Sequence, residues 1–339
     1  MNKLKDFINQ IKKLNKVQLF FIFIFVLLSI LIGILFANVF TTGISNKKSN
    51  KTNYIKPNKI FKVVTALPKV ESILNSSCKD YLAKKYNIEL QVQLLSNNFP
   101  GTIDLVENKQ ADAVISCHTP WLLDNQRHQN KWSNIIPIQP FYVAKFGIYK
   151  HKNDNFDLKS FSVNDNFKVL IPNDPTNVHF ALLYLKEYGL VELNDKNDLS
   201  TSMFYSLNDL KSDSKLKNEN FECKTYGQIP HAFKQQSEYK LAVNYPNFMN
   251  DNNYEKIIND NNNNDEFLLK KKEFNIFSIT LMSREDNKDS EKIKYLKESL
   301  QQDEIIKFCD EQFPNTQIII NNKDDIDKIM QNIEDIMKI

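Results

Sequence analysis

A turn between an apolar strand and an apolar helix carries the polar side chains that are best suited to binding chemistry. Residues 171–190 read IPNDPTNVHFALLYLKEYGL. Asp174 can cap the helix that follows, and Pro175 fits the first helical position, where no backbone N–H is required. Free N–H groups at a helix start attract anions and polar ligands, and Asn173 and Asn177 offer amide groups beside them. A helix cap with no further role would explain this stretch on its own.

The cysteines and histidines are too scattered to indicate a metal site. The four cysteines form no CxxC pair, and the five histidines show no HxH or HExxH spacing. We therefore expect no metal and no cofactor, and isolated buried thiols, with a single disulfide as the alternative. Cys117 and His118 are adjacent, as a nucleophile and its base would be. Adjacent strand residues point to opposite faces, however, and no orienting acid is evident, so we predict that the chain is not an enzyme.

The N-terminal region contains a long uncharged run. Its apolar centre, from Leu19 to Phe36, has 18 residues, enough at ~1.5 Å per residue to cross most of a ~30 Å hydrocarbon core. We predict a short cytoplasmic segment at 1–16, a transmembrane helix at 17–40 and a flexible tether at 41–59. Lysines flank both sides of the run and nearly cancel as an orientation signal. No cysteine follows the run before Cys78, so a lipid on a processed N-terminal cysteine is not expected.

The rest of the chain has the composition and pattern of an α/β protein. Lys and Arg number 44 against 41 Asp and Glu, and this balance argues against a nucleic-acid partner. Strand and helix patterns alternate from about residue 60, which favours a parallel sheet covered by helices, and roughly 280 residues suit two lobes better than one. We expect residues 250–265, rich in asparagine, to form a surface loop. We also expect the last helix to dock on its own domain rather than on a partner.

Several motifs occur in the order found in the NlpA/MetQ family, which the region 60–320 resembles. They are DAVISCHTPWLLDN, YVAKFGIYKHK, IPNDPTN, GQIP and SREDNKDSEKIKYLKE. That family comprises the substrate-binding components of methionine-uptake ABC transporters. The resemblance implies a two-lobed periplasmic-binding-protein-like fold (type II) with a ligand cleft between the lobes. Lobe 1 would be 60–146 plus 267–322 and lobe 2 would be 147–266, followed by a C-terminal amphipathic helix at 323–339.

The resemblance also implies which residues line the cleft. His118 matches the family's histidine, and Trp121 stands where the family has tyrosine, so that either ring could pack against a thioether. Asn173 and Asn177 match the turn and can offer amide hydrogen bonds to a zwitterionic ligand. Tyr245 stands at the family's asparagine position.

One departure from the family pattern concerns the ligand carboxylate. The arginine that pairs with it in the family falls on Phe180, which cannot supply charge-assisted hydrogen bonds. His179 and Lys145 are the nearest basic residues in sequence, and we consider them as substitute partners for that carboxylate.

The leading hypothesis is a membrane-anchored solute-binding protein of an ABC importer. It would sit in the cell membrane as a single-pass protein with its large domain outside. It would bind methionine, a methionine dipeptide or another small solute and deliver it to a permease and its ATPase. The alternative is a surface protein that retains the fold, has lost amino-acid binding and serves adhesion or permease regulation.

Overall fold

The computed structural model describes residues 59–154, 167–195, 204–236, 238–249, 251–257 and 267–338. The predicted segment at 1–16, the predicted transmembrane helix at 17–40 and all of the predicted tether except Lys59 lie outside these ranges. Among the described residues, no helix is both long enough and apolar enough to cross a membrane.

The first lobe is built on a six-stranded mixed sheet with the strand order β11-β4-β10-β3-β1-β2. The strands are β1 (Lys59–Thr65), β2 (Ile88–Leu94), β3 (Ala113–His118), β4 (Ile135–Ala144), β10 (Ile279–Arg284) and β11 (Gln317–Ile319). β1 pairs in parallel with β2 and β3, whereas β10 runs antiparallel to β3 and β4, and β11 antiparallel to β4. The expected parallel sheet is therefore wrong in part, because the last two strands belong to chain that returns from the second lobe and enters in the opposite direction.

Helices cover both faces of this sheet. They are α1 (Pro68–Ile73), a π-helical turn (Leu74–Cys78), α2 (Lys79–Tyr86), α3 (Phe99–Glu107), α4 (Thr119–Gln129), α9 (Glu291–Ser299) and α10 (Asp303–Gln312). The central strand β3 shows why both faces need cover. Ala113 and Ile115 belong to one apolar cluster, whereas Val114 between them belongs to another. Alternate side chains of the strand thus enter separate cores, as the pleat requires.

The second lobe has a five-stranded sheet with the order β7-β6-β8-β5-β9. The strands are β5 (Gly147–His151), β6 (Lys168–Pro172), β7 (Phe221–Lys224), β8 (Tyr239–Asn244) and β9 (Tyr254–Lys256), and the helices are α5 (Pro175–Glu187) and α6 (Ile229–Gln235). β9 lies within the stretch predicted to be a loop. It pairs antiparallel with β5, and the Tyr254 ring packs on Phe233 at 5.1 Å. Burial of this one tyrosine stabilises a strand although the neighbouring residues are polar asparagines.

Two connections join the lobes, and aromatic residues fill the space beside them. The chain leaves the first lobe between β4 and β5 at Lys145 and Phe146. It returns through α7 (Phe267–Lys270) and α8 (Lys272–Asn275). Phe146 and Phe274 are both fully buried and pack with the α5 residue Tyr184 at 5.8 and 5.7 Å between ring centroids. Apolar side chains from both connections therefore share one core with α5.

The C-terminal helix α11 (Lys323–Met337) packs on its own domain through an isoleucine stripe. Ile326, Ile329, Ile333 and Ile336 are buried on one side of the helix. Hydrogen bonds connect α11 to two neighbouring helices, α4 and α8. The Arg127 guanidinium of α4 donates to the Ile336 carbonyl at 2.6 Å, and the Asn332 amide donates to Asn275 of α8 at 3.1 Å. α11 therefore links a first-lobe helix to the returning connection.

Candidate functional site

The turn after β6 is held together by the side chain of Asp174. This residue is the N-cap of α5, and its carboxylate accepts hydrogen bonds from the Asn177 backbone N–H at 3.0 Å and the Thr176 hydroxyl at 3.2 Å. The Asn177 amide nitrogen also donates to the carboxylate, at 2.9 Å. The cap predicted from the sequence is present, and it occupies a first-turn N–H of α5 that would otherwise be open to an anion.

The same turn is tied to the end of the neighbouring strand. β6 and β8 run parallel, so their carboxyl ends lie at one edge of the sheet. The Tyr245 hydroxyl, directly after β8, donates to the Asn177 side-chain oxygen at 2.7 Å. Burial and the negative charge of Asp174 raise the pKa of the Tyr245 phenol, which therefore stays a neutral donor. The structure thus brings together Asn177 and Tyr245, both predicted to line the cleft.

Asn244, the last residue of β8, faces the other way. Its side chain is fully buried, donates to the Tyr226 carbonyl at 2.9 Å and accepts from the Tyr245 N–H. Its amide therefore serves the backbone of the second lobe.

Phe180 lies in an aromatic cluster between the two lobes. Its side chain is buried, and its ring lies 5.2 Å from that of Phe146 and 5.1 Å from that of Phe277. Phe274 is a further neighbour at 5.7 Å. Edge-to-face packing of this kind stabilises aromatic pairs beyond the area they bury. At this position the chain has apolar packing where the family pattern has a cation.

His118 approaches the second lobe from the carboxyl end of β3. Its Nδ1 accepts a hydrogen bond from the Trp121 N–H at 3.3 Å and so caps α4, and its ring lies 4.9 Å from that of Phe277. Burial lowers the pKa of His118 to about 4, although the nearby Asp174 carboxylate acts in the opposite direction. The imidazole is therefore neutral at pH 7, and groups of both lobes meet here.

Trp121 packs within the first lobe, and Asn173 is exposed to solvent. The Trp121 indole packs on Trp132 at 5.4 Å and on Phe99 at 6.4 Å, within a first-lobe apolar cluster. Asn173 is exposed. Neither side chain has a described contact with Asn177 or Tyr245.

The two proposed substitutes for the missing arginine have other surroundings. His179 is buried, its Nδ1 accepts from the Tyr205 N–H at 2.8 Å, and its ring stacks on Tyr205 at 5.3 Å. Lys145 lines a cavity of about 340 Å³ together with Asp310, Leu269 and Ile318. That cavity lies beside β11 and α10, and none of the other predicted site residues lines it.

Three residues that were not predicted lie in contact with, or next in sequence to, residues of this region. The Phe277 ring contacts His118, His179 and Phe180, and so joins predicted residues of both lobes. Thr119 and Ser278 are fully buried, and their hydroxyl oxygens have no hydrogen-bond partner among the described residues. They adjoin His118 and Ile279, which pair across β3 and β10. The position of Thr119 next to His118 was a usable signal, whereas nothing local in the sequence marks Phe277.

The four cysteines form no disulfide with one another. All four cysteines are described and unpaired, with Cys78, Cys117 and Cys309 buried and Cys223 exposed. No group of three or more potential metal ligands occurs among the described residues.

Comparisons with known sequences place the chain in one family. A model of the NlpA lipoprotein family matches residues 63–320. The chain is 25% identical over 230 residues to the probable D-methionine-binding lipoprotein MetQ of Haemophilus influenzae, covering 68% of this chain and 76% of that protein. It is 23% identical over 255 residues to the D-methionine-binding lipoprotein MetQ of Escherichia coli K12, covering 75% and 85%.

Solved structures show the same fold. A YaeC-family lipoprotein from Enterococcus faecalis superposes with a TM-score of 0.60 at 22% identity, covering 77% of this chain and 99% of that one. A nutrient-binding protein from Burkholderia cenocepacia, solved bound to methionine, gives 0.54 at 19% identity, covering 76% and 99%. The predicted α/β, two-lobed substrate-binding fold is confirmed. The relatives are named for binding rather than for catalysis, and the chain is not an enzyme. By its sequence over 63–320 and by its fold, the chain belongs to the NlpA lipoprotein family.

Proposed function

We propose that this protein is the extracytoplasmic solute-binding component of an ABC importer. It holds methionine or a related small solute between its lobes and delivers it to a permease and its ATPase. The observation that carries the proposal is the approach of His118, from the first lobe, to Asp174 of the second lobe, whose carboxylate also lies near Tyr245. These groups stand at the carboxyl ends of strands, where open α/β sheets bind ligands.

The relatives support the solute class. The Escherichia coli protein is named for binding D-methionine, and the Burkholderia cenocepacia structure contains methionine. Each of these names concerns that protein, and we extend the solute class to this chain on the strength of the shared fold and family.

We further propose that the helix predicted at 17–40 anchors the protein in the membrane, with the large domain outside. The relatives are called lipoproteins, but no cysteine of this chain lies between the apolar run and Cys78. Expression in cells fed a labelled fatty acid tests the mode of anchoring. The membrane fraction should contain unlabelled protein, and protease added to intact cells should remove the large domain. Incorporation of label, or protection from protease, would contradict the proposal.

Ligand-dependent stabilisation tests solute binding. The detergent-solubilised protein, unfolded and refolded to remove any carried-over ligand, is heated with D- and L-methionine, methionine dipeptides, methionine derivatives and other amino acids. A solute at 100 times its Kd should add ~2.7 kcal/mol to the free energy of unfolding and raise Tm visibly. The absence of any shift, from a protein that unfolds cooperatively, would contradict solute binding and favour the surface protein that keeps only the fold.

A further inference from the structure

We propose that the solute is an organic cation, a primary amine on an apolar chain of about methionine's size with no free carboxylate. This inference rests on the proposed solute-binding function and narrows its ligand class. It follows from the charges and the tyrosine rings around the Asn177–Tyr245 pair.

The chain has no arginine to offer a carboxylate in the cleft. Its sequence contains two arginines, Arg127 and Arg284. The first donates to the Ile336 carbonyl at 2.6 Å, and the second donates to the Val106 carbonyl at 2.8 Å and to Asp286 at 2.9 Å. Both guanidinium groups thus have partners of their own. A free amino acid would lose the bidentate pairing that makes arginine effective at carboxylate sites.

Neither histidine near the cleft presents a positive charge through Nδ1. His118 Nδ1 accepts from the Trp121 N–H, and His179 Nδ1 accepts from the Tyr205 N–H. A nitrogen that accepts a hydrogen bond carries no proton, so each ring is held in a neutral form. The His118 ring also packs on Phe277, and its burial lowers the pKa of the imidazole.

The charge that does face the site is negative. The Asp174 carboxylate lies near enough to affect the pKa values of His118, Tyr226 and Tyr245, which surround it from both lobes. The Asn177 N–H of the first turn of α5 already donates to this carboxylate at 3.0 Å. The positive end of the helix dipole is therefore neutralised from within the chain. An incoming carboxylate would be repelled by Asp174, whereas an ammonium group would be attracted.

The aromatic faces around the carboxylate also favour a cation. The Tyr245 and Tyr226 rings lie near enough to the Asp174 carboxylate to feel its charge, and a tyrosine ring attracts a cation placed over its face. The same rings accommodate an apolar chain. An alkyl or thioether amine matches both properties.

Calorimetric titration of the solubilised full chain compares four probes that share one thioether chain. They are 3-(methylsulfanyl)propylamine, L-methionine amide, L-methionine and 3-(methylsulfanyl)propionate. We expect the amine and the amide to bind at least tenfold more tightly than L-methionine, and the propionate to bind least. Asp174→Asn should weaken binding of the amine at least tenfold, because the substitution keeps a capping side chain but removes the negative charge. Asp251→Asn, on the surface of the same lobe, is the matched control and should leave the affinity unchanged.

Tighter binding of L-methionine than of the amine would overturn this inference and leave the proposed function standing. An unchanged amine affinity in Asp174→Asn would also overturn it, because the charge would then play no part. If none of the four probes and no member of the wider amino-acid panel bound, this inference and the proposed function would both be overturned.

Discussion

The Tyr245 hydroxyl donates to the side-chain oxygen of Asn177 across 2.7 Å and so fixes the end of β8 against the first turn of α5. The amide nitrogen of the same asparagine is held by Asp174 at 2.9 Å. Both ends of the Asn177 amide thus have partners within the second lobe. The orientation of Asn177 is set before any solute arrives, which lowers the entropic cost of binding.

Removal of the Tyr245 hydroxyl tests this relationship. Tyr245→Phe keeps the ring that packs on Phe146 but leaves the Asn177 oxygen without its donor, so we expect a loss of about 1–3 kcal/mol in the free energy of unfolding. Urea denaturation measures the loss. Tyr295→Phe is the control, since that ring stacks on Tyr86 and its hydroxyl has no hydrogen bond among the described residues. Equal effects of the two variants would contradict the assigned role.

Truncation of Phe180 tests the aromatic cluster between the lobes. Phe180→Ala removes a ring with four aromatic neighbours and leaves a cavity, so we expect a loss of roughly 3–5 kcal/mol. Ile60→Ala, at an isoleucine that is 47% exposed on β1, should cost well under 1 kcal/mol. A small effect at Phe180, measured by the same urea titration, would mean that the cluster does not hold the lobes.

Stability should depend on pH through His118. Its pKa is about 4 in the folded chain and near 6.5 when unfolded, so the unfolded chain binds more protons between these values. The contribution of His118 to the free energy of unfolding is therefore complete above pH 6.5. It is lost as pH falls towards 4, by up to roughly 3 kcal/mol. His118→Gln should flatten this part of the curve measured by urea unfolding, whereas His128→Gln, at an exposed histidine of α4, should not. Identical slopes for wild type and His118→Gln would contradict the assignment.

The cysteines should react unequally with a thiol reagent. Burial raises the pKa of Cys78 to about 12 and that of Cys309 to about 11, and it also raises the pKa of Cys117. Only Cys223 is exposed. We therefore expect one thiol per chain to react with a maleimide in the native protein, none in Cys223→Ser, and four in denatured wild type. Fewer than four without a reductant would reveal a disulfide.

The isoleucine stripe of α11 should contribute a large part of the free energy of unfolding. Ile333 is fully buried against its own domain, and Ile333→Ala should cost about 2–5 kcal/mol. Met337, on the same helix and 39% exposed, gives a matched truncation that should cost little. Thermal unfolding of both variants measures the difference, and similar midpoints would show that α11 is dispensable for folding.

Local patterns predicted much of this architecture and part of the site. The Asp174 cap depends on residues within one turn, and the family resemblance assigned both Asn177 and Tyr245 to one cleft, although it did not predict the hydrogen bond between them. Phe277 could not be found in this way, because its contacts with His118 and Phe180 join distant parts of the chain. The directions of β10 and β11 depend in the same way on where the chain re-enters the first lobe. β9 was missed because its asparagine-rich surroundings hid one buried tyrosine.

The ring contacts between the lobes have a consequence for motion. Phe277 meets His118, His179 and Phe180 through ring faces and edges, and none of these three contacts is a directional hydrogen bond between the side chains. Such surfaces can slide by small ring rotations while remaining dehydrated, so no single angle between the lobes is locked at this junction. The degree of closure is then selected by whatever occupies the space beside Asp174, and solutes of different length would trap the protein at different angles.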